Sequence, residues 1–239
     1  MNLTKLSLAL AVAFPFTVGF AHAATITWTT WNFPSVGSTP GNTPADAGMA
    51  TGMMGGIAVT YVGQNENTTS VQSYYPLTTF TGGTIGNAPV GLDAVKLMGG
   101  VSYTETVSFF TPVVDPVMAI WSLGSDLSGV PIIASFVFTP SEPFTIETGG
   151  PSAEYPLGTS IYRIGTNGTT VYGDEGSGVI QFNGLYSSLS FTTPDYEDFY
   201  TFTVGHDPKA SLAPEPGTLA LLGTGLGALS MLRRRFRKL

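Results

Sequence analysis

A chain of 239 residues without a single cysteine builds neither a disulfide framework nor thiolate chemistry. Between residues 24 and 213 only three cations, Lys96, Arg163 and Lys209, stand against fifteen acids, a balance of −12. That excludes the basic surface with which a protein neutralises phosphates, so nucleic acid is not an expected partner.

At the N-terminus Lys5 supplies a positive start and residues 6–20 an apolar run broken by Pro15. Ala21-His22-Ala23 then gives the small-x-small pattern read by signal peptidase, so cleavage is expected between Ala23 and Ala24. The competing reading, an uncleaved membrane helix, suffers from the shortness of the run and the immediate exit site. Residues 1–23 are accordingly set aside as a signal peptide.

Residues 24–213 are long enough for one domain. They consist of short runs rich in Val, Ile, Thr and aromatics, punctuated by Gly, Pro, Asn and Ser, with no long 3.6-residue period. Strands are expected over 25–31, 57–62, 101–110, 117–123, 132–138, 144–147, 160–164, 169–172, 178–182, 189–192 and 200–204. Val101, Tyr103, Val107 and Phe109 alternate with Ser102, Thr104, Thr106 and Ser108, which describes a strand with one wet face. The expected fold is all-β, an antiparallel sandwich, with the jelly roll as its specific form. Residues 34–56, rich in Gly, Pro, Thr, Ala and Asn, read as a long flexible loop. Its Met49, Met53 and Met54 would fill a gap over the sandwich or form an adaptable contact surface.

Reactive chemistry is sparse. Once a leader containing His22 is gone, His206 is the only histidine, which excludes His-cluster metal sites. His206 sits beside Asp207 and Pro208 at the exit from the last strand, badly placed for a Ser-His-Asp arrangement. No nucleophile elbow, phosphate loop or zinc-protease motif occurs, and no catalytic residue is assigned. Carboxylates are the one abundant class, in two clusters: Asp174 with Glu175, and Asp195, Glu197 and Asp198. Each has two readings, a calcium-holding loop or a plain solvated turn. An acid pair for glycoside hydrolysis has no sequence signature and stays open. Trp28, Trp31, Tyr74, Tyr75, Tyr155, Tyr162 and Tyr196 offer rings that stack on sugars or serve the sheets.

At the C-terminus Pro214-Glu215-Pro216 precedes the uncharged stretch 217–232 and then Arg233, Arg234, Arg235, Phe236, Arg237 and Lys238. At about 1.5 Å per residue the stretch would span about 24 Å as a helix, short of the roughly 30 Å hydrocarbon core. It is a marginal anchor, and the basic cluster would keep its far end in the cytoplasm.

This three-part order resembles the PEP-CTERM sorting signal. The resemblance implies processing by exosortase, a membrane-embedded cysteine transpeptidase, in an exopolysaccharide-producing Gram-negative bacterium. It makes Pro214, Glu215 and Pro216 the recognition motif and residues 214–239 a transient inner-membrane anchor. More weakly, 116–124, 149–155 and 199–205 are similar to segments of uncharacterised PEP-CTERM ectodomains, which implies a shared fold and no activity. The expected partners are signal peptidase, exosortase, the inner membrane and exopolysaccharide. The expected function is a structural or weakly adhesive protein of the cell surface or extracellular matrix. A carbohydrate-binding module is the alternative, followed by a glycan-active hydrolase. No cofactor is expected beyond the calcium already weighed.

Overall fold

The computed structural model describes residues 23–35, 47–65, 74–125, 131–139, 142–165, 168–197 and 199–210. The described residues form two antiparallel sheets. The first is ordered β1 (Thr27–Trp28), β13 (Tyr200–His206), β7 (Val117–Leu123), β11 (Gly176–Phe182), β9 (Phe144–Gly150), with β5 (Val95–Leu97) also pairing with β13. The second is ordered β10 (Thr170–Gly173), β8 (Ala134–Phe138), β12 (Leu185–Thr192), β6 (Glu105–Val114), β4 (Ile57–Gly63), β3 (Gly48–Met54), β2 (Thr30–Ser35). From β6 to β13 each successive strand lies in the sheet opposite its predecessor.

Their inner faces meet in one aromatic-rich core. Phe136, fully buried, has its ring centroid 5.1 Å from that of Phe191, 5.4 Å from Tyr200 and 6.0 Å from Phe202, so it bridges both sheets. All three pairs are edge-to-face, the arrangement that aromatic quadrupoles favour. Every residue of β7 is buried, which explains its unbroken apolar run: Met118 and Ile120 face the second sheet, while Val117, Ala119 and Trp121 face outward under a cover. Tyr74, Phe80, Ile85 and Ala94 supply that cover, with Phe80 in a short helix, α1 (Leu77–Phe80). At Ser122 the backbone turns to φ 57°, and Leu123 returns to the inner core instead of continuing the alternation.

The second sheet has the one wet face that alternation requires. Val107 and Phe109 point into the core, while Ser108 is exposed and Thr106 half-buried. The expected loop over 34–56 is corrected in part: β2 runs to Ser35, and β3 pairs along its whole length with β4. Low β-propensity residues, GMATGMM, form this strand because both neighbours hydrogen-bond it. Met54 is fully buried in the core, whereas Met49 and Met53 face outward. The expected strand at 160–164 is reduced to two isolated bridges, Ser160 to Ser177 and Tyr162 to Tyr172.

Strand direction gives the sandwich two distinct ends. In β13 Gly205 opposes Val117 and Thr201 opposes Trp121; in β11 Gln181 opposes Val117 and Gly176 opposes Leu123. The end with Val117, Gln181 and His206 is the exit pole, since the described chain finishes there at Ala210. The end with Leu123, Gly176 and Tyr200 is the far pole, about 23 Å away for seven residues at ~3.3 Å each. Phe136→Ala should lower the unfolding free energy by about 3 to 5 kcal/mol, read from urea denaturation, because the vacated space is walled by rings that cannot collapse into it.

Candidate functional site

Both acidic clusters of the sequence lie at the far pole, and they serve the end of β7. Glu175, at φ 49° in the turn from β10 to β11, is buried and accepts a short hydrogen bond from the Ser122 hydroxyl. Glu197, also buried, accepts the Gly124 amide at 2.8 Å. Asp195 accepts the Ser135 hydroxyl at 2.5 Å. Gly124 is itself required, because a Cβ there would stand 2.3 Å from the Gly173 carbonyl oxygen at a φ of 85°. Among the described residues no group of three or more His, Cys, Asp or Glu side chains comes together to hold a metal. Asp198 lies outside the described residues.

Glu105 is a third acid at this pole, and the strand pattern hides it. It occupies the inward parity of Val101, Tyr103, Val107 and Phe109, so the alternation that reveals the strand also assigns this carboxylate to the core. It is fully buried. Neutral donors surround it: the Tyr61 hydroxyl at 2.6 Å, the Gln64 amide at 2.9 Å and the Thr193 hydroxyl at 2.5 Å. Gln64 in turn accepts the amides of Met98 and Gly99, each at 2.7 Å. Burial pushes the Glu105 carboxyl above the usual range, and the three donors only partly offset it. Desolvation, reinforced by the Glu105 charge, pushes the Tyr61 and Tyr200 phenols well above theirs.

An open pocket of about 250 Å³ forms where the 154–159 loop passes over Asp174 and Glu175. Its wall includes Tyr155, whose ring meets Trp121 edge-to-face at 5.9 Å, and Leu157, which is 97% exposed. Asp174 Oδ1 is buried there without a hydrogen-bond partner. An apolar wall, one half-buried ring and an unspent carboxylate oxygen together suit a small polyhydroxylated ligand. Sequence reasoning marked Tyr155 and Asp174 separately, but had no periodic signal to bring the loop and the turn together.

The other marked residues divide cleanly. Trp28, Trp31 and Tyr74 are buried and serve the core, so they are no sugar platform; Tyr75 and Tyr196 are exposed. Tyr162 stacks on Tyr172 at 5.7 Å. His206 closes β13 at the exit pole, where burial lowers its pKa despite the opposing effect of Asp207. Two of the three cations between residues 24 and 213 lie against rings: Lys96 is 4.4 Å from the Phe199 centroid and Arg163 5.2 Å from that of Phe144. Ala23 and Ala24 are described, whereas Ala21, Pro214, Glu215, Pro216, Arg233, Arg234, Arg235, Arg237 and Lys238 lie outside the described residues. Compared with protein-family models, with curated proteins and with solved structures, the chain finds no match.

The raised Glu105 carboxyl binds its proton more tightly folded than unfolded, so the stability it lends is full below about pH 4.3 and is lost as pH rises through the folded value. Glu105→Gln keeps one acceptor and lets Thr193 reverse its hydrogen bond. The variant should therefore lose less stability than the parent between pH 4.5 and pH 8, measured by urea unfolding across that range.

Proposed function

We propose that this protein is exported, held briefly in the inner membrane by residues 214–239, and released by an exosortase to a cell surface or extracellular matrix, where it acts as a structural or weakly adhesive component. The observation that carries the reading is the three-part tail, Pro214-Glu215-Pro216, the uncharged stretch 217–232 and the basic cluster, on a chain that also begins with a signal-peptide pattern. The domain's geometry is compatible with that role. Only residues 211–213 separate Ala210, at the exit pole, from Pro214. The far pole, with its acids and its pocket, then points away from the membrane. The alternation of sheets from β6 to β13 is read as a jelly-roll arrangement.

Carbohydrate binding is the second reading, favoured by the far-pole pocket with its Tyr155 ring and the unpartnered Asp174 oxygen. A glycan array probed with the intact protein should show signals that Tyr155→Ala and Asp174→Asn each reduce at least tenfold. Binding that neither substitution changes would place the glycan elsewhere.

The sorting reading is tested at Glu215. Replacing it with Ala removes the recognition motif while the apolar stretch still inserts, so full-length protein should accumulate in the inner-membrane fraction. Replacing Arg233, Arg234 and Arg235 together with Ser should weaken retention and let unprocessed protein reach the periplasm. Normal release of the Glu215→Ala protein would contradict the reading.

A further inference from the structure

The first residue expected after signal removal is fastened into the fold. The Ala24 amide donates to the Thr84 carbonyl at 2.8 Å, and the Ala24 carbonyl accepts the Gly86 amide at 2.7 Å. Two residues on, Ile26 exchanges hydrogen bonds with the Asn87 side chain, at 2.6 and 3.0 Å, and the Trp28 indole donates to the Asn87 carbonyl. Ala23 is exposed.

Ala24 lines a cavity of about 190 Å³ at the exit pole, together with Thr84, Asp115, Gln181, Asp207 and Ala210. Its two carboxylates come from different elements, Asp115 from the turn between β6 and β7 and Asp207 from the residue after β13. Each uses one oxygen on a backbone amide: Asp115 Oδ1 accepts Gly184 at 2.6 Å and Asp207 Oδ1 accepts Lys209 at 2.8 Å. An amide at Ala24 brings no charge to such a site. A free α-amino group brings an ammonium with two further protons to donate, one already being matched by Thr84.

We infer that the exit-pole cavity is a capture site for the protein's own new N-terminus: cleavage after Ala23 creates an α-ammonium that Asp115 and Asp207 receive, fastening the start of the domain beside its end at Ala210. This rests on the proposed signal cleavage and adds a consequence to it. Before the cut the same position is a neutral amide, so the domain gains this contact only after leaving its leader.

The charged groups around the site set the pH window. Asp115, Asp207 and, through its hydrogen bonds to Thr84, Glu147 favour the ammonium; Lys209 and His206 flank Asp207. Carboxylate neighbours raise the folded pKa of the α-amine above its unfolded value of about 7.7 to 8.0. Its stabilisation is therefore full below about pH 7.7 and lost as pH rises through the folded pKa.

The test uses the exported chain, with N-terminal sequencing confirming that it starts at Ala24, against the same chain enzymatically acetylated at that residue. At pH 7 the free-amine form should melt about 2 to 4 °C higher. The gap should close above about pH 10 and vanish in Asp115→Asn with Asp207→Asn. Should that double variant fold poorly, the pH dependence of acylation at the Ala24 amine in the parent gives the same answer: a pKa above about 8 supports capture. Equal melting of both forms, or an ordinary α-amine pKa, overturns the inference and leaves signal cleavage standing. A start other than Ala24 overturns both.

Discussion

Strand β7 is buried on both faces, and most of the molecule is organised by that demand. The second sheet covers one side of it with Phe136, Phe191 and Val107; the 74–94 segment covers the other with Tyr74, Phe80 and Ile85. At roughly 25 cal/mol for each Å² of apolar surface removed from water, a strand buried on both faces gains about twice what an edge of a wet sheet gains. Covering segments are themselves held by polar staples: Asn87 ties the cover to Ile26, and Glu147 holds Thr84. A domain without disulfides is thereby closed around its central strand by backbone pairing and a few buried side-chain hydrogen bonds.

The same strand explains why acids gather at one end. Where β7 finishes, its backbone turns to positive φ at Ser122 and Gly124, and groups that would otherwise pair in a ladder need other partners. Ser177 Oγ takes the Ser122 amide and Glu197 the Gly124 amide, while Glu175 holds the Ser122 hydroxyl. Glu105 does comparable service between β4, β6 and Thr193, at the cost of burying a carboxyl. The far pole therefore holds structural acids and, at its surface, a pocket whose Asp174 oxygen has no structural task.

Much of the fold was legible because burial leaves a period. The alternation of 101–109 and the apolar run of 117–123 revealed β6 and β7, one with a wet face and one with none. The strand β3 was not legible, since Gly48 to Met54 lacks β-branched side chains other than Thr51 and owes its conformation to β2 and β4. Of the far pole, the acids were visible as clusters but their partners were not. Contacts such as Glu197 to Gly124 span 73 residues, and no local pattern records them. Glu105 was visible in principle, as the one charge on an apolar parity.

A single measurement addresses both proposed processing steps: the intact mass of the protein recovered from the surface or medium of cells that produce it. The account predicts a species that begins at Ala24 and has lost Leu239 together with the basic cluster. Surface-located protein whose mass still includes Leu239 would contradict it, and would make the tail a lasting anchor.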